Sequence, residues 1–254
     1  MKHTTRTFLA IALLLLSGRH AAATNDHLQP NTSYVVEPDL YQRMLSQVFH
    51  PIYQERDLKL AVLITPSFKP EQVVGIRSRD GKDEVVVAAA RQSIWGYVDV
   101  ESYEAAQRDE PYSYLIEESD YKSQRAQLPG SYRDVPLDIA SVPVDAELAK
   151  RISSVWKSAL LSARQPVEPE LGLDGTTFTF SMRVHGYGVL SGSTWSPDAD
   201  TDMHSLVTLA KVMQQYATGN KAVTDVERAV GEYEKRLVNT QPAVDSEKSN
   251  GGKI

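Results

Sequence analysis

The order of apolar and polar residues in the first half of the chain predicts several β-strands. Residues 58–65, 71–78 and 83–91 are apolar runs of strand length. The Asp80-Gly81 pair between the last two runs favours a hairpin, because the tight turn of a two-residue loop requires positive φ. The first and third runs do not alternate with polar residues, so we expect these strands to be covered on both faces. Residues 93–98 would extend the sheet after a bend at Gly96.

A regular alternation in the second half predicts a half-exposed strand of an antiparallel sheet. The apolar members are Phe178, Phe180, Met182 and Val184, and the polar members are Thr177, Thr179, Ser181 and Arg183. Gly186 and Gly188 would then turn the chain into a return strand, with Trp195 anchoring it.

Apolar residues at helical spacing predict four helices. They lie near residues 38–50, 146–163, 203–217 and 224–238. Asp145 is an expected N-cap, and Asp200 or Asp202 is expected to cap the third helix. These elements together predict an α+β fold, with a mostly antiparallel sheet and helices packed on one face. We expect a single domain over residues 24–240 and a disordered tail over residues 241–254.

The first 23 residues are typical of a secretory signal peptide. Lys2 and Arg6 precede a short apolar run, and Ala21-Ala22-Ala23 follows it, so we expect cleavage after Ala23. No later apolar run has the length of a membrane span. An exported chain without cysteine is typical of the bacterial periplasm, where a domain of this size needs no disulfides. The expected location is therefore periplasmic, with no membrane span after cleavage.

The charge of the chain argues against nucleic-acid binding. The net charge is −6, and the predicted leader carries only basic charges, so the mature chain would be more acidic. No basic patch or basic-aromatic stripe is present to neutralise phosphates. No motif calls for a cofactor or a metal, and we expect neither. A cationic protein partner suits such a surface, and the oligomeric state stays open.

A polar segment over residues 99–142 is expected to form an insertion in the domain. With Tyr97 it holds six of the twelve tyrosines. Tyrosines on a polar connection supply rigid amphipathic contact area of the kind found at protein interfaces. The expected partner-binding residues are Tyr112, Tyr114, Tyr121 and Tyr132, with Glu117 and Glu118 as a charged rim.

The stretch HGYGVLSGSTWSPDADTD, residues 185–202, has the composition of an active-site loop but fits no motif. A nucleophile elbow would need glycine at Val189. A calcium loop starting at Asp198 would need glycine at Met203 and glutamate at Leu209. The stretch still lies between a strand and a helix, where ligand contacts are common. The alternative function is therefore a periplasmic hydrolase whose candidate residues are His185, Ser193, Asp198, Asp200 and His204.

Three segments resemble a set of exported proteobacterial proteins without an assigned activity. They are the W-x3-LL-x2-R pattern from Trp156 to Arg164, LGLDGTTFTF at residues 171–180, and SGSTWSP at residues 191–197. The resemblance covers about residues 60–215 and implies a periplasmic protein, with no catalytic residue to transfer. By analogy with exported proteins of this kind, we expect a non-enzymatic protein-binding protein, most concretely an immunity-type inhibitor of a secreted, envelope-targeting effector.

Overall fold

A seven-stranded antiparallel sheet forms the centre of the protein. The computed structural model describes residues 26–31, 39–53, 55, 57–110, 116–166 and 174–240. Within them the strands are β1 (Gln29–Pro30), β2 (Leu58–Pro66), β3 (Gln72–Arg79), β4 (Lys82–Ala90), β5 (Leu137–Val144), β6 (Thr176–Val184) and β7 (Gly188–Trp195). Their order in the sheet is β1-β7-β6-β2-β3-β4-β5, and every neighbouring pair is antiparallel.

The helices confirm the α+β class. They are α1 (Leu40–Val48), α2 (His50–Tyr53), α3 (Val98–Gln107), α4 (Glu118–Gln127), α5 (Ala146–Leu161), α6 (Asp202–Ala217) and α7 (Val223–Thr240). Two 3-10 turns lie at Trp95–Tyr97 and Tyr132–Asp134. All four predicted helices are present, and the Asp145 carboxylate accepts a hydrogen bond from the Leu148 N–H at 2.9 Å, as a cap should.

The larger core lies between one face of the sheet and the helices α5, α6 and α7. Val62, Val74 and Phe180 project from the strands into this layer. Trp156 of α5 is fully buried and meets the Phe180 ring edge-on, with 4.9 Å between ring centroids. This layer matches the prediction of helices packed against a sheet.

A second core covers part of the opposite face, so the helices are not confined to one side. Leu63 and Val73 point away from the first core and pack with Met44 and Phe49 of the α1 region. Side chains alternate between the two faces of a strand, and the non-alternating runs in β2 and β4 allow both faces to be buried. The prediction of helices on one face therefore holds for α5, α6 and α7 and is wrong for α1.

The polar segment at residues 99–142 contains regular structure that the sequence analysis did not predict. It contributes α3, α4 and most of β5, the edge strand of the sheet. Residues 95–97 form a 3-10 turn instead of the expected strand. Edge strands bury little side-chain area, and four of the eight residues of β5 are exposed. The apolar alternation that identifies a strand is correspondingly weak here.

Residues 26–31 are tied into the sheet and a helix. Gln29 and Pro30 pair with Ser193 and Gly192 of β7, Leu28 is fully buried, and the Asp26 carboxylate accepts the Met203 N–H at 3.0 Å. The predicted leader, residues 1–23, and the predicted tail, residues 241–254, lie outside the described residues. Within the described part, no helix is both long and apolar enough to cross a membrane.

The β6–β7 hairpin depends on a close approach between Gly175 and Trp195. A Cβ atom on Gly175 would lie 2.5 Å from the Trp195 indole. We expect Gly175→Ala to displace the indole and to lower the free energy of unfolding by about 1–3 kcal/mol. Urea titration followed by tryptophan fluorescence measures the change.

Gly231 provides the control for this prediction. It lies inside α7, where an added Cβ meets its nearest side-chain atom at 3.8 Å. Alanine is a better helix former than glycine, so we expect Gly231→Ala to leave stability unchanged or raise it by about 0.5–1 kcal/mol. Equal effects of the two substitutions would contradict the role given to Gly175.

Candidate functional site

The structure places the predicted partner-binding residues in different environments. Glu117 and Glu118 are exposed at the start of α4, and Tyr121 is half-buried on the same helix. Tyr112 and Tyr114 lie outside the described residues. Tyr132 is placed differently from the expectation, since its side chain is only 3% exposed and belongs to the second core.

Tyr132 acts as a packing residue between two elements. Its hydroxyl donates to the Gln47 side-chain oxygen of α1 at 2.6 Å, and the Arg133 guanidinium lies 4.4 Å from the centre of its ring. Burial raises the pKa of the Tyr132 hydroxyl. A side chain held in this way has almost no surface left for a partner, so Tyr132 is not a contact residue.

Helix α4 is held against α3 by side chains that remain partly exposed. The helix has no buried residue. The Tyr121 ring stacks on Tyr103 at 4.3 Å between centroids, and its hydroxyl donates to Glu104 at 3.1 Å. Gln124 donates to Asp99 at 3.3 Å. The desolvation of its partly covered ring and the Glu104 carboxylate raise the pKa of Tyr121. These contacts give a mostly exposed helix a defined position.

The start of α4 presents an acidic surface. We call Glu117, Glu118, Asp120 and Tyr121 the α4 face. Lys122 pairs with Glu118 at 2.7 Å and lowers the pKa of that carboxyl group. Carboxylates in a first turn also stabilise the helix through its dipole, which gives these residues a structural role of their own. Their exposure makes them available to a partner as well.

A charged cleft of about 190 Å³ lies beside α3 and the second 3-10 turn. Arg108 on its wall bonds to Glu110 at 2.6 Å and to the buried Glu101 at 3.0 Å. The Arg108 guanidinium lowers the pKa of Glu110. Because this guanidinium is already paired with carboxylates, an anionic ligand would have to displace them. The charged groups of the cleft therefore form an ion-pair network that stabilises α3, the helix on which α4 packs.

A buried carboxylate fixes an exposed tryptophan nearby, and sequence reasoning missed both residues. Glu71 is fully buried and accepts hydrogen bonds from the N–H groups of Ile94 and Trp95 at 2.8 and 3.1 Å. It also accepts from the hydroxyls of Tyr41 at 2.6 Å and Ser93 at 3.2 Å. Trp95 is 56% exposed. A lone glutamate before a strand carries no sequence signal for such a role, since its partners are distant in the chain.

The candidate hydrolase residues are spread along the β6–β7 hairpin. His185 lies exposed in the turn before β7, and His204 follows the far end of that strand. The strand β7 alone spans roughly 25 Å at about 3.3 Å per residue, and the turn that holds His185 and the start of α6 lie beyond its opposite ends. Ser193 lies between them, paired with Thr179 of β6. The structure therefore does not bring the two histidines and the serine together in one site.

The remaining candidates lie near the start of α6. Asp198 and Asp200 are exposed, and neither Asp200 nor Asp202 caps the helix as predicted. The cap is Thr201, whose hydroxyl oxygen accepts the His204 N–H at 3.0 Å. Asp200, Thr201 and Asp202 can all cap a helix from their side chains. The helix begins at Asp202, so the cap position falls on Thr201.

His204 borders an open groove between α6 and α7. The groove has a volume of about 400 Å³ and is also lined by Ser205, Thr208 and Lys235. The Nδ1 atom of His204 lies 3.2 Å from the Pro197 carbonyl, which can only accept a hydrogen bond. In the part of the chain that the structure describes, no group of three or more His, Asp or Glu residues is arranged to hold a metal ion.

Comparisons with known proteins return no relative. No family model, no curated protein and no solved structure matches the chain. The resemblance to exported proteobacterial proteins therefore stays a prediction from the sequence.

Proposed function

We propose that this chain is a periplasmic protein-binding protein that inhibits a secreted, envelope-targeting effector by covering its active cleft. The observation that carries the proposal is the α4 face, an acidic and tyrosine-containing surface on a helix with no buried residue. Packing against the rest of the fold supplies most of the stability of a helix, and α4 has only a few partly buried side chains to pack. A binding role accounts for its retention.

The contacts beneath α4 favour binding through a preformed surface. Tyr103, Glu104 and Asp99 of α3 hold α4 through one ring stack and two hydrogen bonds. A surface that is already ordered loses less conformational entropy when it binds. This arrangement suits an inhibitor, which must bind tightly without changing shape.

The charge of the α4 face indicates the chemistry of the partner. Three exposed carboxylates, Glu117, Glu118 and Asp120, lie within four positions. Such a cluster attracts a cationic surface and accelerates association at low ionic strength. We therefore propose an effector whose active cleft is rimmed by lysine or arginine.

Capture from envelope extract of the source cells tests the proposal. The immobilised chain is expected to retain one protein in stoichiometric amount. The double variant Glu117→Lys, Glu118→Lys should bind that protein at least about tenfold more weakly at low salt, and the difference should shrink as salt screens the charges. Surface plasmon resonance with the purified partner measures both effects.

The control variant also replaces two exposed glutamates with lysine, but at a site away from the α4 face. Glu227→Lys with Glu232→Lys alters two exposed glutamates of α7, on the opposite face of the sheet. This variant should bind like the unmodified chain. Equal binding by the α4 variant would exclude the α4 face as the contact. Repeated failure to capture any protein, together with hydrolysis of a cell-wall or lipid substrate by the purified chain, would favour the hydrolase alternative.

A further inference from the structure

The strand β5 forms an edge of the sheet that the described residues leave unpaired. It pairs with β4 on one side over all eight residues, from Leu137 to Val144. On the other side, no strand or backbone hydrogen bond from the described residues reaches it. Ile139 at its middle is 53% exposed.

Two contacts establish which backbone groups of β5 point outward. The Pro136 carbonyl accepts the Arg91 N–H on the β4 side, and the Pro143 carbonyl accepts the Tyr216 hydroxyl at 2.7 Å. Pro136 has no N–H, so its carbonyl makes the only backbone hydrogen bond between this residue and Arg91. The N–H and C=O groups of successive residues alternate in direction along an antiparallel strand. The backbone groups of even-numbered residues of β5 therefore face β4, and those of odd-numbered residues point away from it. The N–H and C=O groups of Ile139 and Ser141 are thus directed outward.

This edge has little of the protection that edge strands normally carry. Natural sheets blunt free edges with inward charges, lysine, bulges or proline. The one charged residue of β5, Asp138, is paired with Arg91 at 2.7 Å. Proline occurs only at Pro143, near the end of the strand, where Tyr216 occupies the carbonyl. Within the described residues, the stretch from Ile139 to Val142 has no pairing partner on this side.

The open stretch is complementary to itself. Two copies of β5 can pair in antiparallel direction about a two-fold axis at Ala140. Ile139 of each copy then lies opposite Ser141 of the other copy. Both residues point their backbone groups outward, so the two pairs form four N–H···O=C bonds. Asp138 then lies opposite Val142, so no like charges are opposed. The pairing ends where Leu137 meets Pro143, which lacks an N–H and whose carbonyl is already bonded to Tyr216.

We propose that β5 pairs with β5 of a second copy of this chain, in antiparallel register about Ala140. The two sheets join into one continuous sheet, and the exposed Ile139 side chains lie diagonally across the junction on the same face. We assign the partner strand to a second copy because β5 is complementary to β5: the outward N–H and C=O groups face each other, and no like charges are opposed. The α4 face is not part of this junction, so the dimer does not depend on the proposed inhibition.

Sedimentation velocity over a range of concentrations, from low micromolar to several hundred micromolar, tests the inference. The unmodified chain is expected to change from monomer to dimer over this range. Ser141→Pro removes one outward N–H in each copy, hence two of the four bonds, and leaves the backbone pairing with β4 intact; it also removes the hydroxyl that accepts from Arg77 at 3.3 Å. It should raise the dimer dissociation constant at least about tenfold. Ile139→Lys, which adds the residue that blunts natural edges, should do the same.

Val189→Lys is the matched control, since Val189 is 52% exposed on β7, away from the β5 edge. It should dimerise like the unmodified chain. Circular dichroism and thermal unfolding establish that each variant folds. A chain that stays monomeric at every concentration would overturn the inference, as would a dimer that both β5 variants leave unchanged. A monomer whose β5 variants lose a captured partner protein would assign the edge to that partner instead.

Discussion

Replacing Trp156 with alanine is expected to lower the free energy of unfolding by about 3–5 kcal/mol, the largest effect of any single substitution proposed for this protein. Trp156 is fully buried between α5 and the sheet and contacts the Phe180 ring. Its removal loses the burial of a large aromatic ring and leaves a cavity that the rigid sheet cannot fill. Domains of this size are typically stable by only about 5–15 kcal/mol, so urea denaturation should show a strongly reduced midpoint.

Trp156→Phe separates packing from hydrogen bonding. The Trp156 indole N–H has no hydrogen-bond partner among the described residues, so phenylalanine loses ring volume but no polar contact. We expect a cost of about 1–2 kcal/mol. A phenylalanine variant as unstable as the alanine variant would contradict this account and would indicate a partner for the indole nitrogen.

Replacing Glu71 with alanine is expected to lower the free energy of unfolding by about 2–4 kcal/mol. The substitution leaves the N–H groups of Ile94 and Trp95 and the hydroxyl of Tyr41 without their acceptor. Each buried donor left unsatisfied costs about 1–3 kcal/mol, less where water enters the space. Because Trp95 is exposed while Trp156 is not, quenching of tryptophan fluorescence by iodide should also change as the 93–97 turn loosens.

Two milder substitutions define the role of Glu71. Glu71→Gln keeps one acceptor oxygen but sets an amide N–H₂ against a backbone donor, so we expect an intermediate cost of about 1–2 kcal/mol. Ser93→Ala removes one donor to the carboxylate, at 3.2 Å, and should cost less than about 1 kcal/mol. Equal free energies of unfolding for Glu71→Ala, Glu71→Gln and Ser93→Ala would show that the Glu71 carboxylate does not stabilise the turn at residues 95–97.

The class of the fold follows from local patterns that the structure confirms. The Asp80-Gly81 turn has positive φ at both residues, 52° and 75°, as the hairpin signal requires. The four predicted helices, α1, α5, α6 and α7, carry apolar residues at helical spacing, and the central strands are continuous apolar runs because both of their faces are covered. Their positions are therefore readable without knowledge of what they pack against.

The elements that the sequence analysis missed are those whose stability comes from distant partners. Helix α4 has no apolar stripe, and its order derives from Tyr103 and Glu104 of α3. The turn at residues 95–97 depends on Glu71, 24 positions before Trp95. Pairings of this kind leave no period in the sequence. Composition points to a candidate contact surface in the polar segment, but the burial of Tyr132 leaves no such signal.

The pairing of β1 with β7 has a consequence for the order in which the chain can fold. Asn31 bonds to Ser191 across 160 positions, and Asp26 bonds to Met203 across 177. The segment that directly follows the predicted leader thus finds its place only after nearly the whole chain is synthesised. Contacts this distant in sequence form slowly. The β1 end of the sheet is therefore expected to be completed late, after the local pairings among β2, β3 and β4 have formed.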